Sequence, residues 1–306
     1  MKIVTFGSVN IDIVAYAQRL PRPGETVHGE RYAMALGGKG ANQAVAAARL
    51  GADSALVGRT GADAFGTMVR NRLAEFGVAL GALGTDPARA TGMAMIGVDS
   101  AAENSIVVVG GANMAIGDDD VIHAAELLSA AQVLLLQLEI PLDAALKAAA
   151  LTRRSGGLVI FDPAPAPAAG LPDAVFAAAD VMTPNETETE ALVGLRPTTP
   201  ETAAEAATRL QARGLRIAVV KMGAHGVYVR GPGVAGFVPG FKVKAIDTVA
   251  AGDCFNGGLA FALARGDGLL EAVRFANACG ALATTRPGAS DAAPTLGEVE
   301  ALLDAQ

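Results

Sequence analysis

Residues 248–258 read Thr248-Val249-Ala250-Ala251-Gly252-Asp253-Cys254-Phe255-Asn256-Gly257-Gly258, a loop of small residues that leads directly into an apolar helix. The first backbone amides of a helix have no intrahelical acceptor, so a helix that starts from such a loop offers its N-terminus to an anion. Asp253 falls in the first turn, where an acidic residue is common as a simple cap. A carboxylate beside an anion site can also accept a hydroxyl proton while a phosphoryl group is transferred. The stretch therefore predicts a helix and leaves both roles open for Asp253.

The remainder of the chain predicts an α/β fold around this helix. Short apolar runs bounded by glycine or proline are typical of buried strands, and they alternate with helical patterns, which favours a parallel sheet covered on both faces. The predicted strands are 3–6, 55–57, 133–136, 159–161, 181–182 and 218–220. The predicted helices are 41–50, 65–76, 118–130, 142–154, 186–193, 202–213 and 254–264.

Four further strand-like segments do not fit this alternation: 11–16, 30–36, 92–98 and 105–109. No helix separates the first two or the last two, so they predict a small accessory sheet. We expect one α/β domain over residues 1–306, with the accessory sheet formed by segments 11–17, 29–36, 90–99 and 104–110. A separate sheet above the carboxyl ends of the main strands would act as a lid, whereas the alternative is a hairpin extension of the main sheet.

Composition excludes several classes of protein. The 306-residue chain has a formal net charge of −7, and its 24 basic residues form no run longer than a pair, so we expect no nucleic-acid partner. Two cysteines without a CxxC motif argue against a disulfide framework and favour a reducing cytoplasm. No apolar run reaches the roughly 18 residues of a membrane span, so no membrane partner is expected.

A second glycine-rich segment precedes another predicted helix, Gly37-Gly38-Lys39-Gly40-Ala41-Asn42-Gln43-Ala44. It is neither a P-loop nor the GxGxxG motif of dinucleotide-binding proteins, which makes a dehydrogenase an unsuitable interpretation. Glycines allow a ligand to approach the backbone closely. Lys39 and Asn42 would add polar contacts, although a plain strand-to-helix turn is the alternative.

Three shorter motifs carry further candidate residues. Asn10 and Asp12 lie two positions apart at a strand end, so they share a side of the strand and suit a diol, unless they only form a turn. Asn185 and Glu188 share a helix face and could hold a hydrated magnesium ion or form a capping box. The segment from Lys221 to Val227 reads as a tight turn at the sheet edge, and its histidine has no partner spaced for a metal site.

In this order and combination, the two glycine-containing motifs resemble the signatures of the phosphofructokinase-B family of carbohydrate kinases. The resemblance extends over essentially the whole chain and is greatest to family members that phosphorylate ribose. Further similar strings are Pro23-Gly24-Glu25-Thr26-Val27, Gln137-Leu138-Glu139, Asp162-Pro163-Ala164-Pro165, Thr183-Pro184-Asn185-Glu186-Thr187-Glu188 and Val238-Pro239-Gly240-Phe241. The resemblance implies a ribokinase-like fold, with a central mostly parallel sheet flanked by helices on both faces and a small β-sheet lid. It also implies ATP-dependent phosphorylation of D-ribose at the 5-hydroxyl, with magnesium, an activating potassium ion and a homodimer paired through the lid.

The resemblance further implies roles for individual residues. Asp253 matches the general base, beside an anion hole formed by Ala250, Ala251 and Gly252. Sugar-binding positions are Asn10, Asp12, Gly37, Gly38, Lys39, Asn42, Glu139 and Asp253. Nucleotide-binding positions are Asn185, Lys221, Gly223, Ala224, His225, Gly226, Gly252 and Asn277. Glu188 matches a magnesium-associated position near Asn185. The potassium loop corresponds to Asp247, Val249, Ala283, Arg286, Gly288 and Ala292.

This chain departs from the family pattern at four positions. Lys221 stands where threonine is common, Asn277 where histidine is common and Cys254 where threonine is usual, and Pro287 stiffens the potassium loop. None of these changes removes a reacting group. A nucleoside kinase of the same fold and a non-catalytic sugar or nucleotide sensor are the alternative functions, and the low aromatic content argues against a pocket that stacks a nucleobase.

Overall fold

The structure is a computed structural model that describes residues 1–101 and 103–306, and its strands form two separate sheets. The strands are β1 (Lys2–Phe6), β2 (Asn10–Tyr16), β3 (Arg31–Gly37), β4 (Asp53–Gly61), β5 (Leu83–Asp86), β6 (Gly92–Val98), β7 (Asn104–Val109), β8 (Val133–Leu136), β9 (Leu158–Phe161), β10 (Val181–Met182), β11 (Ile217–Lys221), β12 (Gly226–Gly231) and β13 (Val234–Pro239). The helices are α1 (Lys39–Arg49), α2 (Ala64–Glu75), α3 (Asp118–His123), α4 (Ala125–Ser129), α5 (Leu142–Arg154), α6 (Asp173–Ala178), α7 (Glu186–Val193), α8 (Pro200–Ala212), α9 (Ala251–Arg265), α10 (Leu269–Ala283) and α11 (Leu296–Ala305).

The main sheet has nine strands in the order β13-β12-β11-β10-β9-β8-β1-β4-β5. Its pairs from β10–β11 through β4–β5 are parallel, and β12 and β13 extend one edge in antiparallel pairing. The side chains of the central strand β8 are buried on both faces, as expected for a parallel sheet between two layers of helices. The carboxyl ends of these parallel strands lie at one edge, where open α/β sheets place their ligands.

The layer formed by α1, α9 and α10 positions the candidate site. A Cβ atom on Gly257 would lie 2.5 Å from the Cβ of Ala46, so glycine allows α9 to pack closely against α1. This approach brings the first turn of α9 beside the first turn of α1. The two glycine-rich motifs of the sequence therefore meet in space.

The second sheet has four strands in the order β3-β2-β6-β7, with β2 and β6 parallel and the other pairs antiparallel. Its strands fall on the four segments that the sequence assigned to an accessory sheet. Ile11 and Leu36 are buried against α2 and the main body, and Asn10 and Asp12 lie on the opposite face of β2. The outer strand β7 is exposed along its whole length.

The structure corrects some secondary-structure predictions. The helix predicted over 118–130 is divided at Ala124 into α3 and α4. Strands β5 and β13 and helices α6, α10 and α11 were not predicted from the sequence. Helix α10 is rich in alanine and buried along most of its length, so it lacks the alternation of apolar and polar residues that marks an amphipathic helix. Among the described residues, no helix is both long enough and apolar enough to span a membrane.

Candidate active site

The first turn of α9 holds Asp253 at the meeting point of several elements. Ala250 adopts a left-handed conformation with φ of 57° and ends the loop before the helix. Asp253 is 5% exposed, and its two carboxylate oxygens accept hydrogen bonds from Asn42 Nδ2 at 3.1 Å and Gln43 Nε2 at 3.0 Å. Ser290 in turn donates to Asn42 Oδ1 at 2.7 Å. The carboxylate is therefore held on both sides by consecutive residues of α1.

Burial raises the pKa of Asp253, and nearby Asp162 acts in the same direction. The Lys39 ammonium and the two amide donors oppose this shift because they stabilise the ionised carboxylate. Burial alone would lower the pKa of Lys39, but the surrounding carboxylates Asp253, Asp162, Glu139 and Glu188 raise it above its ordinary value. Lys39 thus remains protonated at the centre of an acidic cluster.

The residues predicted to bind the sugar lie close together, and we call the region around Asn10, Asp12, Lys39 and Glu139 the polar cleft. Glu139 accepts hydrogen bonds from the Lys39 amide at 3.0 Å and from Ser8 Oγ at 2.5 Å. Asn10 Oδ1 accepts from Asn113 Nδ2 at 2.8 Å, which fixes the Asn10 amide. Ser8 and Asn113 were not singled out from the sequence, because their contacts join segments more than a hundred residues apart.

Asp12 lies over the backbone of Gly37, where a Cβ would fall 2.0 Å from Asp12 Oδ1. This oxygen is buried and has no hydrogen-bond partner among the described residues. Burial, with the negative charges of Glu139 and Asp253, raises the pKa of Asp12 to about 7. The cleft therefore combines fixed amides with a carboxyl group that can accept from a ligand hydroxyl.

A second cavity, of about 290 Å³, adjoins the other side of the α9 N-terminus. Its lining includes Lys221, Gly223, Ala224, Gly252 and Asn277 from the predicted nucleotide-binding set, together with the ring of Phe255. Among the described residues, no acceptor pairs with the backbone amides of Gly252 and Asp253, so both are free for an anion. These two amides lie between the cavity and the polar side chains around Asp253.

Three predicted nucleotide positions, Asn185, His225 and Gly226, are not among the residues that line this cavity. His225 is exposed outside this lining, and Gly226 shapes the turn with φ of 125°. Asn277 Nδ2 donates to Pro239 O at 2.8 Å and so joins α10 to the end of β13. Within the lining, Lys221 Nζ lies 3.5 Å from Oδ1 of Asp162, a buried carboxylate to which the sequence motifs assigned no role.

Asn185 and Glu188 form the capping box of α7, with reciprocal hydrogen bonds of 2.9 and 2.8 Å between side chains and amides. The structural alternative raised for this motif is therefore present. The capping box uses only one of the two Glu188 carboxylate oxygens. Burial raises the pKa of this carboxyl group, and the positive charge of Lys221 opposes that shift. No group of three or more acidic, histidine or cysteine side chains in the described ranges could hold a metal by itself.

The predicted potassium loop is assembled in part. Asp247 Oδ1 accepts from the Val249 amide at 3.0 Å, and its Oδ2 accepts from the Gly288 amide at 3.1 Å. Ala283 ends α10, Ala292 is fully buried in the following turn, and the Arg286 side chain pairs with Glu298. The Asp247 carboxylate thus joins the loop before α9 to the loop after α10.

Free amides at a helix N-terminus, between a group of polar side chains and a cavity of about 290 Å³, are typical of a small-molecule kinase. Residues 1–296 match the pfkB family carbohydrate kinases, and the chain belongs to this family, as the motifs indicated. A ribokinase of Haemophilus influenzae is 39% identical over 302 residues, covering 99% of this chain and 98% of that protein. A ribokinase of Mus musculus is 40% identical over 264 residues, covering 86% and 81%. The structure of an Arabidopsis thaliana ribokinase complexed with ribose and ATP superposes with a TM-score of 0.91 at 32% identity, covering 99% and 98%.

Proposed function

We propose that this carbohydrate kinase transfers the γ-phosphoryl group of ATP to the 5-hydroxyl of D-ribose, giving ribose 5-phosphate and ADP, with Asp253 as the general base. The observation that carries the proposal is the position of Asp253. It is buried at the α9 N-terminus, between the polar cleft and the cavity lined by Gly252. The similarity to ribokinases, one of them complexed with ribose and ATP, supports ribose as the acceptor.

The sugar occupies the polar cleft in this proposal. Asp12 and Asn10 accept and donate hydrogen bonds at its hydroxyl groups, with Lys39, Asn42 and Glu139 around them. Gly37 and Gly38 keep the backbone close to the ligand. The free oxygen of Asp12 fits a hydroxyl donor, since a buried acceptor without a partner is costly. The absence of tryptophan from the chain agrees with recognition by hydrogen bonds rather than by stacking.

Asp253 removes the proton from the 5-hydroxyl as the new O–P bond forms. Because phosphoryl transfer has a loose transition state, the attacking oxygen needs its proton removed late, and a carboxylate is a sufficient base. The backbone amides of Gly252 and Asp253 stabilise the charge on the transferred group, a contribution of about 3 kcal/mol for each well-placed donor. The Ala251 amide donates to Thr248 O at 3.3 Å instead. Lys221 faces Gly252 across the anion site and supplies a positive charge there.

The residues present also fit the two expected cations. Glu188, with Asn185 nearby, would hold hydrated magnesium together with phosphate oxygens, since magnesium commonly uses one or two carboxylates; bound magnesium would neutralise phosphate charge. Asp247 and backbone carbonyls of Val249, Ala283, Arg286, Gly288 and Ala292 would hold potassium beside the anion site. The hydrogen bonds of Asp247 to Val249 and Gly288 bring two of these segments together.

The four-stranded sheet serves as a lid in this proposal, and two copies of the chain pair through it as a homodimer. Its outer strand β7 has an unpaired edge among the described residues, and Ile106, Val107, Val108 and Val109 are each more than half exposed. A second copy would cover this apolar edge, which is otherwise a liability for a sheet. We also assign the enzyme to the cytoplasm, where ATP is available and where its two buried free cysteines would remain reduced.

The test measures ADP release with ribose, 2-deoxyribose, other pentoses and adenosine, with and without potassium, and identifies the product by ³¹P NMR. Ribose should give the highest kcat/KM and a 5-phosphate product, and higher turnover of adenosine would refute the proposal in favour of a nucleoside kinase. Asp253→Asn should bind ribose in calorimetry but lose turnover by at least about 100-fold. Because both Asp253 oxygens accept from fixed amides, its melting temperature is measured alongside. Ligand binding without any ADP production by the unmodified enzyme would instead indicate a sensor.

A further inference from the structure

Gln43 connects the two carboxylates that lie deepest in the site. Its amide nitrogen Nε2 lies 3.0 Å from Asp253 Oδ1 and 3.0 Å from Asp162 Oδ2. Both hydrogens of one NH₂ group are therefore directed at two different acidic residues. Gln43 is 0% exposed, so it cannot touch a sugar or a nucleotide itself. Any effect on the reaction has to pass through the groups that it holds.

The orientation of the Gln43 amide is fixed from behind. Gln137, which follows β8, donates from Nε2 to Gln43 Oε1 at 2.7 Å and is itself 1% exposed. If the Gln43 amide were reversed, its oxygen would face two carboxylates and its NH₂ group would face another NH₂ group. Only the observed orientation of the Gln43 amide pairs donors with acceptors along the row from Gln137 through Gln43 to Asp253. The Gln43 donor to Asp253 is therefore preorganised.

We propose that Gln43 is a positioning residue for the general base, and that Gln137 acts on the reaction only through Gln43. The inference rests on the proposed role of Asp253 and extends it. Asn42 holds one oxygen of Asp253, and the fully buried Gln43 holds the other. The buried donor fixes the plane of the carboxylate, so the remaining lone pairs point consistently toward the incoming hydroxyl group.

The same hydrogen bond also favours the ionised form of the base. The titratable groups that face Asp253 are Lys39 on α1, Asp162 after β9, Asp12 on β2 and the adjacent Cys254. Burial and Asp162 raise the pKa of Asp253, whereas Lys39, Gln43 and Asn42 lower it. Loss of the Gln43 donor leaves the raising influences in place, so the pKa of Asp253 must rise further.

The experiment compares Gln43→Met, which keeps the length of the side chain but removes the donor, with Gln137→Met and with the double variant. For Gln43→Met we expect kcat to fall about tenfold to a hundredfold, and the acid limb of the kcat–pH profile to move upward by about one pH unit. The dissociation constant for ribose should change less than about threefold, because Gln43 does not touch the cleft. Gln137→Met should show the same two changes at smaller size, and the double variant should equal Gln43→Met.

Gln211→Met is the matched control, since Gln211 also uses its amide to bridge two acceptors, the carbonyls of Arg216 and Arg230, but far from the site. Its acid limb should be unchanged. Should Gln43→Met fail to fold, Gln43→Asn provides the same comparison, because its shorter amide cannot span both carboxylates. An unshifted acid limb in a folded Gln43 variant, or additive losses in the double variant, would overturn the inference. The role of Asp253 is tested separately, because an active Asp253→Asn enzyme would refute the base and not the hydrogen-bonded row.

Discussion

Substitution of Gly252 by alanine should separate the stability of the fold from the function of the anion site. Gly252 is the second residue of α9, and its φ is outside the left-handed region. A Cβ at this position would meet only Lys221 Nζ, at 3.5 Å, among the described residues. This is an ordinary van der Waals contact, so the folded protein accommodates the methyl group. Because alanine favours helix over glycine, the free energy of unfolding should stay unchanged or rise by up to about 1 kcal/mol.

The same methyl group obstructs the proposed phosphate position. A methyl group at residue 252, 3.5 Å from the Lys221 ammonium, occupies space in which a phosphate oxygen would contact both that ammonium and the Gly252 amide. The transferred group then loses either the amide or the lysine contact. Loss of one such donor lowers kcat by about 100- to 1000-fold, equivalent to about 3–4 kcal/mol.

The assay pairs steady-state ADP release with thermal unfolding and with calorimetric binding of ribose. Gly297→Ala is the matched control, since Gly297 is also the second residue of its helix, α11, and a Cβ there meets no described atom within 4 Å. We expect both variants to keep or slightly raise the melting temperature and to keep the ribose affinity, and only Gly252→Ala to lose turnover. Turnover of Gly252→Ala within about threefold of the unmodified enzyme would show that no phosphoryl group passes between Gly252 and Lys221.

Two further predictions concern the lid sheet. Because the pKa of Asp12 is raised to about 7, this carboxyl group is largely protonated at pH 6 and ionised at pH 8. Ribose binding measured without nucleotide should therefore tighten as the pH rises across this range, and Asp12→Asn should bind ribose weakly at every pH. An affinity of the unmodified protein that does not change with pH would contradict the role of Asp12. Val108→Lys should convert the proposed dimer into a monomer in sedimentation experiments, because it places a charge on the exposed apolar strand β7. The control is Ile122→Lys, at a position 72% exposed on α3, which should leave the assembly unchanged. Identical sedimentation of the two variants would exclude pairing through β7.

The fold was predictable to the extent that its elements carry a local signal. The buried strands β1, β8 and β9 are continuous apolar runs, and the accessory sheet appeared as strands without an intervening helix. Helix α10 gave no such signal, because a helix that is buried on most sides has no polar face to reveal its period. Strand β5 is short and half-exposed, so neither an apolar run nor an alternating pattern marks it.

The candidate site was also predictable only where its residues lie within local motifs. Asp253, Asn42, Lys39 and Asp12 lie within motifs, and the structure brings them to one region. Their supporting residues come from elsewhere in the chain, as Ser290 reaches Asn42 across 248 positions. For Gln43 a signal does exist, because a glutamine within the alanine-rich segment of α1 needs buried hydrogen-bond partners. Which partners these are depends on tertiary packing, and a single sequence contains no direct record of that packing.

The distribution of charge explains how an acidic chain can serve a reaction of a highly charged nucleotide. Asp12, Glu139 and Asp253 surround the polar cleft, which suits a neutral polyol whose hydroxyl groups donate hydrogen bonds. The opposite side of the α9 N-terminus presents Lys221 and the free amides near Gly252, which attract an anion. A phosphate group that entered the polar cleft would meet carboxylates, whereas one that entered the adjoining cavity would meet hydrogen-bond donors. The charges near each region therefore favour a neutral substrate on one side of the α9 N-terminus and a phosphate group on the other. The net charge of −7 alone would argue against any anionic ligand.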